Sequence, residues 1–119
     1  MIKNSIIAVD DNLFFLERVS NLMREAGYDV DTAKSGKEAF EKCIQKLYAL
    51  ILIDINLPDY GCMKLLSRIR DTNFNIYKVI ITGYPDIENV RQAYKLGTNA
   101  YLTKPVDVEE LLRTVRTCF

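Results

Sequence analysis

Apolar residues in this chain gather in five short runs, and between the runs they recur at helical spacing. The runs are Ser5–Val9, Asp29–Ala33, Leu50–Ile53, Tyr77–Ile81 and Ala100–Leu102. Leu50-Ile51-Leu52-Ile53 and Val79-Ile80-Ile81 are unbroken, as in strands covered by helices on both faces. The first interval sets Leu16, Val19, Leu22, Met23 and Ala26 on one helical stripe, and Gly27 stops it. The second sets Ala39, Phe40, Cys43, Ile44 and Leu47 on another, entered through Ser35-Gly36-Lys37-Glu38, a capping-box sequence. A short third helix spans Met63 to Ile69, with Leu65, Leu66 and Ile69 on one side. The fourth runs from about Asp86 to Leu96, turns Ile87, Val90, Ala93 and Tyr94 inward and ends at Gly97. The fifth starts at Asp107. There Asp107 and Glu110 have capping-box spacing, and Val106 and Leu111 have that of a hydrophobic staple.

Strand and helix therefore alternate five times, with no repeat, low-complexity stretch or linker, and residues 1–119 read as one domain. Right-handed crossovers make (βα)5 a doubly wound α/β fold, a parallel sheet between two layers of helices. A length of 119 residues suffices for a real core.

Composition narrows the function. Apolar residues make up 49% and charged residues 27%, the balance of a soluble globular domain. The 16 basic and 16 acidic residues cancel, which removes the electrostatic case for direct nucleic-acid binding. The apolar stretches fall far short of about 18 residues, so no membrane span is expected. Met1-Ile2-Lys3-Asn4 leads straight into the first strand without the regions of a signal peptide, and the expected location is cytoplasmic. Cys43, Cys62 and Cys118 are odd in number and lack metal-motif spacing, which fits reduced, incidental thiols. The chain has no histidine, so Ser-His and Cys-His dyads and His-ligated zinc are excluded.

The chemistry sits where the apolar runs end. Asp10-Asp11 follow the first run, Asp54 the third, Thr82 the fourth, and Lys104 comes two residues after the fifth. In an open parallel sheet all strand C-termini lie on one edge, where ligand crevices form. Three carboxylates, a hydroxyl and an ammonium would converge there, a set suited to a divalent cation and a transferable phosphoryl group. Adjacent carboxylates repel unless a cation holds them ionised, and Mg²⁺ suits a few carboxylates plus phosphate oxygens. Asp54 alone could be metal ligand, general base or nucleophile. Each residue also has a bland reading: a helix-start acidic pair, a loop-capping Asp, a strand Thr, a solvated Lys. It is their conjunction that points to one site.

The chain resembles the receiver domain of two-component response regulators, over essentially its whole length. The resemblance is carried by Val9-Asp10-Asp11, Asp54-Ile55-Asn56-Leu57-Pro58-Asp59, Thr82-Gly83-Tyr84-Pro85-Asp86, Gly97 with Ala100-Tyr101-Leu102, and Lys104-Pro105. It implies a flavodoxin-like three-layer sandwich with sheet order 2-1-3-4-5. It also implies that Asp54 is the phosphoacceptor, charged by a sensor histidine kinase or a histidine phosphotransfer protein. Asp11, Asp54 and the main-chain carbonyl of Asn56 would hold Mg²⁺ (or Mn²⁺), with Asp10 acting through a bound water. Lys104 would pair with Asp54 and then with the phosphoryl oxygens. Thr82 and Tyr101 would form the switch to the surface of the fourth helix, fifth strand and fifth helix. Asn56 and Tyr84 would tune the phosphoryl lifetime, Tyr84 by shielding it, and Lys104-Pro105 would be cis.

Other readings fit the residues less well. A Mg²⁺-dependent aspartyl phosphatase would place Asp-x-Asp after the first strand and carry a cap, whereas this chain has Asp10-Asp11 and no insertion. A flavin module would need neutral donors where Asp10-Asp11-Asn12 stand. A docking protein that takes no phosphate has no use for an intact set. The family's usual glycine, four residues after Pro58, is here Cys62, with Gly61 one position earlier. Arg91, Lys95, Arg113 and Arg116, with Glu109 and Glu110, offer a charged face for a phosphorylation-dependent homodimer, although the weakness of exposed ion pairs favours reading them as solvated helix surface. An output domain, within the same protein or separate and leaning to transcriptional regulation, is the expected further partner.

Overall fold

The computed structural model describes residues 4–57, 59, 61–72, 75–83 and 86–118. Its strands are β1 (Ser5–Val9), β2 (Asp29–Ala33), β3 (Leu50–Asp54), β4 (Tyr77–Thr82) and β5 (Ala100–Thr103). They pair in parallel in the order β2-β1-β3-β4-β5. The helices are α1 (Leu13–Glu25), α2 (Gly36–Gln45), α3 (Cys62–Asp71), α4 (Ile87–Lys95) and α5 (Val108–Cys118). The chain thus builds outward from β1 in one direction, then returns past it to build in the other. That reversal opens a crevice between the C-terminal ends of β1 and β3.

The unbroken apolar strands are explained by a core on each face. Ile7, Val9, Ile51, Ile53 and Ile80 pack toward α2 and α3. Their neighbours Ile6, Ala8, Leu50, Leu52, Val79 and Ile81 pack toward α1 and α5. Successive side chains point to opposite faces, so a strand buried on both has no polar alternate. Three strand ends lie one residue beyond the expected limits: Asp54, Thr82 and Thr103 each close a strand.

Helix faces match the expected stripes in their centres and depart at their ends. Leu16, Val19 and Met23 of α1 are buried, but Ala26 is the exposed C-cap. In α2, Ala39, Phe40 and Cys43 are buried, while Ile44 and Leu47 are 61% and 64% exposed. The helix stops at Gln45, and Tyr48 takes the core position the stripe had assigned to Leu47. In α4, Ile87 is 73% and Tyr94 48% exposed. This helix rests on buried Ala93, half-buried Val90 and Leu96, which packs against the core. Its contact stripe is therefore rotated from the expected one.

The N-cap side chains bond as the sequence predicts, but neither glutamate of the two capping boxes returns a bond to its N-cap N–H. Ser35 Oγ accepts the Glu38 N–H at 3.1 Å, but Glu38 Oε1 accepts from Lys34 at 2.8 Å instead of from Ser35. At α5, Asp107 Oδ1 accepts the N–H groups of Glu109 and Glu110 at 2.8 and 3.2 Å, and Val106 packs in one cluster with Leu111. The Lys104–Pro105 peptide is cis.

The β2 edge carries a polar clasp. Tyr48 Oη donates to Asp31 Oδ2 at 2.7 Å, and Lys46 Nζ reaches Asp29 and Asp31 at 2.9 and 3.0 Å. Burial would raise the Asp31 carboxyl, but the Tyr48 hydroxyl and the Lys46 ammonium outweigh it and hold it below its ordinary value. A depressed carboxylate contributes stability above its unfolded value and loses that contribution as pH falls through the folded one. Tyr48→Phe is accordingly expected to cost about 1 kcal/mol at neutral pH. The difference should shrink below about pH 4. Urea unfolding of both proteins across that range measures it.

Candidate functional site

Strand register brings the acids level. Val9 pairs with Ile53, so the next residues, Asp10 and Asp54, stand side by side past β1 and at the end of β3. Asp54 pairs in turn with Ile81, and Thr82 with Thr103, so the fourth and fifth strands deliver Thr82 and Lys104 to the same edge. Asp10, Asp11 and Asp54 each offer a carboxylate oxygen within 4.8 Å of the others.

Asp10 is 1% exposed and fully engaged. Its N–H donates to Ala33 O at 3.1 Å, Oδ1 accepts the Asn12 N–H at 2.9 Å, and Oδ2 accepts from Lys104 Nζ at 2.7 Å. Asn12 in turn caps α1, accepting the Phe15 N–H at 3.1 Å. Asp11 is exposed at the rim. Asp54 is 8% exposed, with Oδ1 accepting the Asn56 N–H at 3.4 Å and Oδ2 lying 4.0 Å from Lys104 Nζ.

Lys104 therefore makes its closer ion pair with Asp10, at 2.7 Å, and a longer one at 4.0 Å with Asp54, the partner the sequence resemblance implied. The Lys104 N–H is fixed to Thr82 O at 2.7 Å, and its ammonium lies 4.2 Å from the centroid of the Phe15 ring. Between that ring and the crevice, the nearer carboxylate is Asp10. Phe15 has no counterpart among the sequence-based candidates. Its only signal was an aromatic residue in the turn that follows the acidic pair.

Three carboxylates facing one ammonium leave a deficit of positive charge. Asp54 carries it: burial first, then the charge of Asp10, push its carboxyl up from 3.8 to about 6, with Lys104 and the Asn56 N–H pulling the other way. A divalent cation is the group such a cluster fits, since it would supply the missing charge and favour the ionised carboxylates.

Thr82 is fully buried at the end of β4. Tyr101, on β5, is half-buried against the α2 and α3 core, and its enclosed hydroxyl has no hydrogen-bond partner among the described residues. Asn56 is exposed in the loop after β3, and Tyr84 lies outside the described residues. Gly61 takes the left-handed conformation before α3, with φ at 77°, so the permissive residue stands one place before Cys62. Cys62 opens α3 as a buried residue, its thiol raised to about 12 by burial and then by the charge of Asp54. It is an inert packing group beneath the site. All three cysteines are free.

An apolar cavity of about 350 Å³ lies between α1 and α5, bordered by Phe15 and Lys104. None of the three carboxylates lines it, so the chemistry belongs to the crevice at the strand ends.

Neutralising the under-compensated carboxylate should stabilise the cation-free protein. A raised folded value means that ionisation costs stability, fully above about pH 6 and not at all below the unfolded value of 3.8. The rise from 3.8 to about 6 caps the gain at about 3 kcal/mol, and residual solvation reduces it to about 1–2 kcal/mol. Thermal unfolding in chelator should therefore show Asp54→Asn more stable than wild type at pH 7, with the gap closing toward pH 4. A pH-independent gap, or a less stable variant, contradicts this account.

Comparison with known proteins agrees with the geometry. Residues 6–116 match the family described as the response regulator receiver domain. The transcriptional regulatory protein CrdR of Helicobacter pylori is 30% identical over 118 residues, covering 98% of this chain and 55% of its own length. The chain spans about half the length of that relative. A CheY-like response regulator receiver domain protein from Methanospirillum hungatei superposes with a TM-score of 0.92 at 30% identity, covering 96% of this chain and 91% of its own. The beryllofluoride-activated NtrC4 receiver domain dimer superposes with a TM-score of 0.91 at 28% identity, covering 98% and 96%. Five parallel strands in this order, an acidic crevice at their ends and a family match across nearly the whole chain have one reading: it belongs to the receiver domains of two-component response regulators.

Proposed function

We propose that this receiver domain takes a phosphoryl group onto Asp54 from the phosphohistidine of a sensor histidine kinase or a histidine phosphotransfer protein. The observation that carries the proposal is the position of Asp54, buried between the Asp10 and Asp11 carboxylates and the Lys104 ammonium 4.0 Å away. An Asp54 carboxylate oxygen bonds to phosphorus as the phosphorus–nitrogen bond breaks, and the donor imidazole leaves with the electron pair. Asp11 and Asp54, with the main-chain carbonyl of Asn56, would hold Mg²⁺ (or Mn²⁺), and Asp10 would contribute through a bound water. The ion would neutralise the phosphoryl oxygens.

Lys104 is already poised for the same charge. Its ammonium, 2.7 Å from Asp10 and 4.0 Å from Asp54, would exchange part of its Asp10 contact for a phosphoryl oxygen. Catalysis in such a site is mostly positioning and electrostatics, so the domain would drive its own phosphorylation and dephosphorylation and turn over no separate substrate. Thr82 would then donate to the phosphoryl group, Tyr101 would shift into the space released, and the surface of α4, β5 and α5 would change. Tyr84 would slow attack by water.

That surface is where the response would be read, by an output domain of the same protein or by a separate partner. CrdR is a transcriptional regulatory protein of nearly twice this length, which favours a transcriptional output. The domain itself would act in the cytoplasm and bind no nucleic acid. No helix among the described residues is long and apolar enough to cross a membrane. The NtrC4 neighbour is a dimer in its beryllofluoride-activated form, which favours a phosphorylation-dependent homodimer here. Sedimentation with and without beryllofluoride reads that step.

Incubation with a small phosphodonor and Mg²⁺ should add one phosphoryl group, detected by mass spectrometry. Asp54→Asn, or chelation of the cation, should abolish it. Labelling that persists on another residue overturns the assignment. In the same assay, chased after donor removal, Tyr84→Ala should lose its phosphate faster than wild type; an equal rate removes that role from Tyr84.

A further inference from the structure

The loop between Asp54 and α3 is fastened to a helix that precedes it in the chain. Asp59 Oδ1 accepts the N–H of Gly36 at 3.0 Å, and its Oδ2 accepts the N–H of Lys37 at 3.0 Å. These are the first two residues of α2, whose initial N–H groups have no partner within the helix. Ser35 takes the Glu38 N–H, and the Asp59 carboxylate takes two others, with the helix dipole favouring its charge. The same loop carries Asn56. Elsewhere it is held by the Ile55 N–H on Ile81 O at 3.2 Å and by the buried side chains of Ile55 and Leu57.

We propose that Asp59 is a positioning residue for the cation-binding loop. By gripping the first turn of α2, Asp59 would hold its own stretch of the loop in place and so restrain the main-chain carbonyl of Asn56, three residues earlier. The proposal rests on reading the acidic cluster as a Mg²⁺ site. A carbonyl ligand on an untethered loop must be ordered when the ion binds, whereas a clamped loop has met that cost on folding. Outer partners that orient ligands act on affinity in this way. Coupling runs in both directions, so occupancy of the site should also be felt at Gly36 and Lys37.

The test compares Asp59→Ala with Ser35→Ala, which removes a different cap from the same helix end and leaves the loop untouched. Titration calorimetry with Mg²⁺ should show about tenfold weaker binding for Asp59→Ala and wild-type binding for Ser35→Ala. In amide NMR spectra, Mg²⁺ should shift the Gly36 and Lys37 resonances of the wild type and leave them in place in Asp59→Ala. Asp59→Asn, which keeps one acceptor oxygen, should fall between and supplies the measurement if the alanine variant does not fold. The proposal is overturned by unweakened Mg²⁺ binding in the Asp59 variants, or by equal weakening in Ser35→Ala. A wild-type chain that binds no Mg²⁺, or binds it as well after Asp54→Asn, instead overturns the metal reading on which the proposal rests.

Discussion

The register between β1 and β3 holds two carboxylates side by side where neither would settle unaided. Val9 against Ile53 sets Asp10 level with Asp54 on neighbouring strands, which run about 4.8 Å apart. At that spacing two ionised groups repel by about 3 kcal/mol in a medium of effective dielectric near 20. Against this stand Ile6, Ile7, Ala8 and Val9 facing Leu50, Leu52 and the two isoleucines of β3, all essentially buried. Each large side chain among them contributes about 1.5–3 kcal/mol. A slip by one residue would send every side chain into the opposite core and misfit the packing of both, so the packed cores hold the register and the charges must accommodate it.

The accommodation is unequal. Asp10 receives the ammonium at 2.7 Å and a backbone N–H, while Asp54 keeps a 4.0 Å contact with the ammonium and a long bond from Asn56. A buried ion pair is weak evidence for stability, but its direction matters here. By satisfying Asp10, Lys104 leaves Asp54 as the carboxylate with oxygens still to be compensated. Phe15 contributes a ring face to the ammonium from the side of α1, its centroid 4.2 Å away. The group that most needs a cation is thus the group proposed to accept a phosphoryl, and the neighbours that set this up come from α1 and from the turn after β5.

Most of the fold could be read from hydrophobic period, because buried strands and amphipathic helices leave opposite signatures. The errors lie where a stripe continues past the contact that gives it meaning. Ile44 and Leu47 extend the α2 pattern beyond the point at which Tyr48 fills the core. Ile87 and Tyr94 extend the α4 pattern although that helix rests on Ala93. Asp10, Asp11, Asp54, Thr82 and Lys104 stood out as polar residues at strand ends, whereas Asn56, Tyr84 and Tyr101 became candidates only through the resemblance. Which carboxylate Lys104 would approach was not legible, because three lay within reach and only tertiary distances choose among them. The roles of Phe15 and Asp59 were hidden for the same reason: one acts across a helix face and the other across 22–23 residues of chain.

Uneven packing also decides where a change at the crevice would be expressed. Among the described residues α3 buries Cys62, Leu65, Leu66 and Ile69, and α1 buries Leu16, Val19, Ser20 and Met23, whereas α4 buries Ala93 alone. Displacing α1 or α3 would therefore open core surface, while shifting α4 exposes little that is not already wet. Local opening free energies follow such differences in buried contact. Thr82 ends the strand that leads into α4, and Tyr101 on the adjoining strand has a buried hydroxyl with no described partner, so its position is set by packing rather than by a polar bond. A rearrangement begun at Thr82 thus meets a rigid wall toward α1 and α3 and a compliant one toward α4. The asymmetry is written in one alanine where the other helices place large side chains.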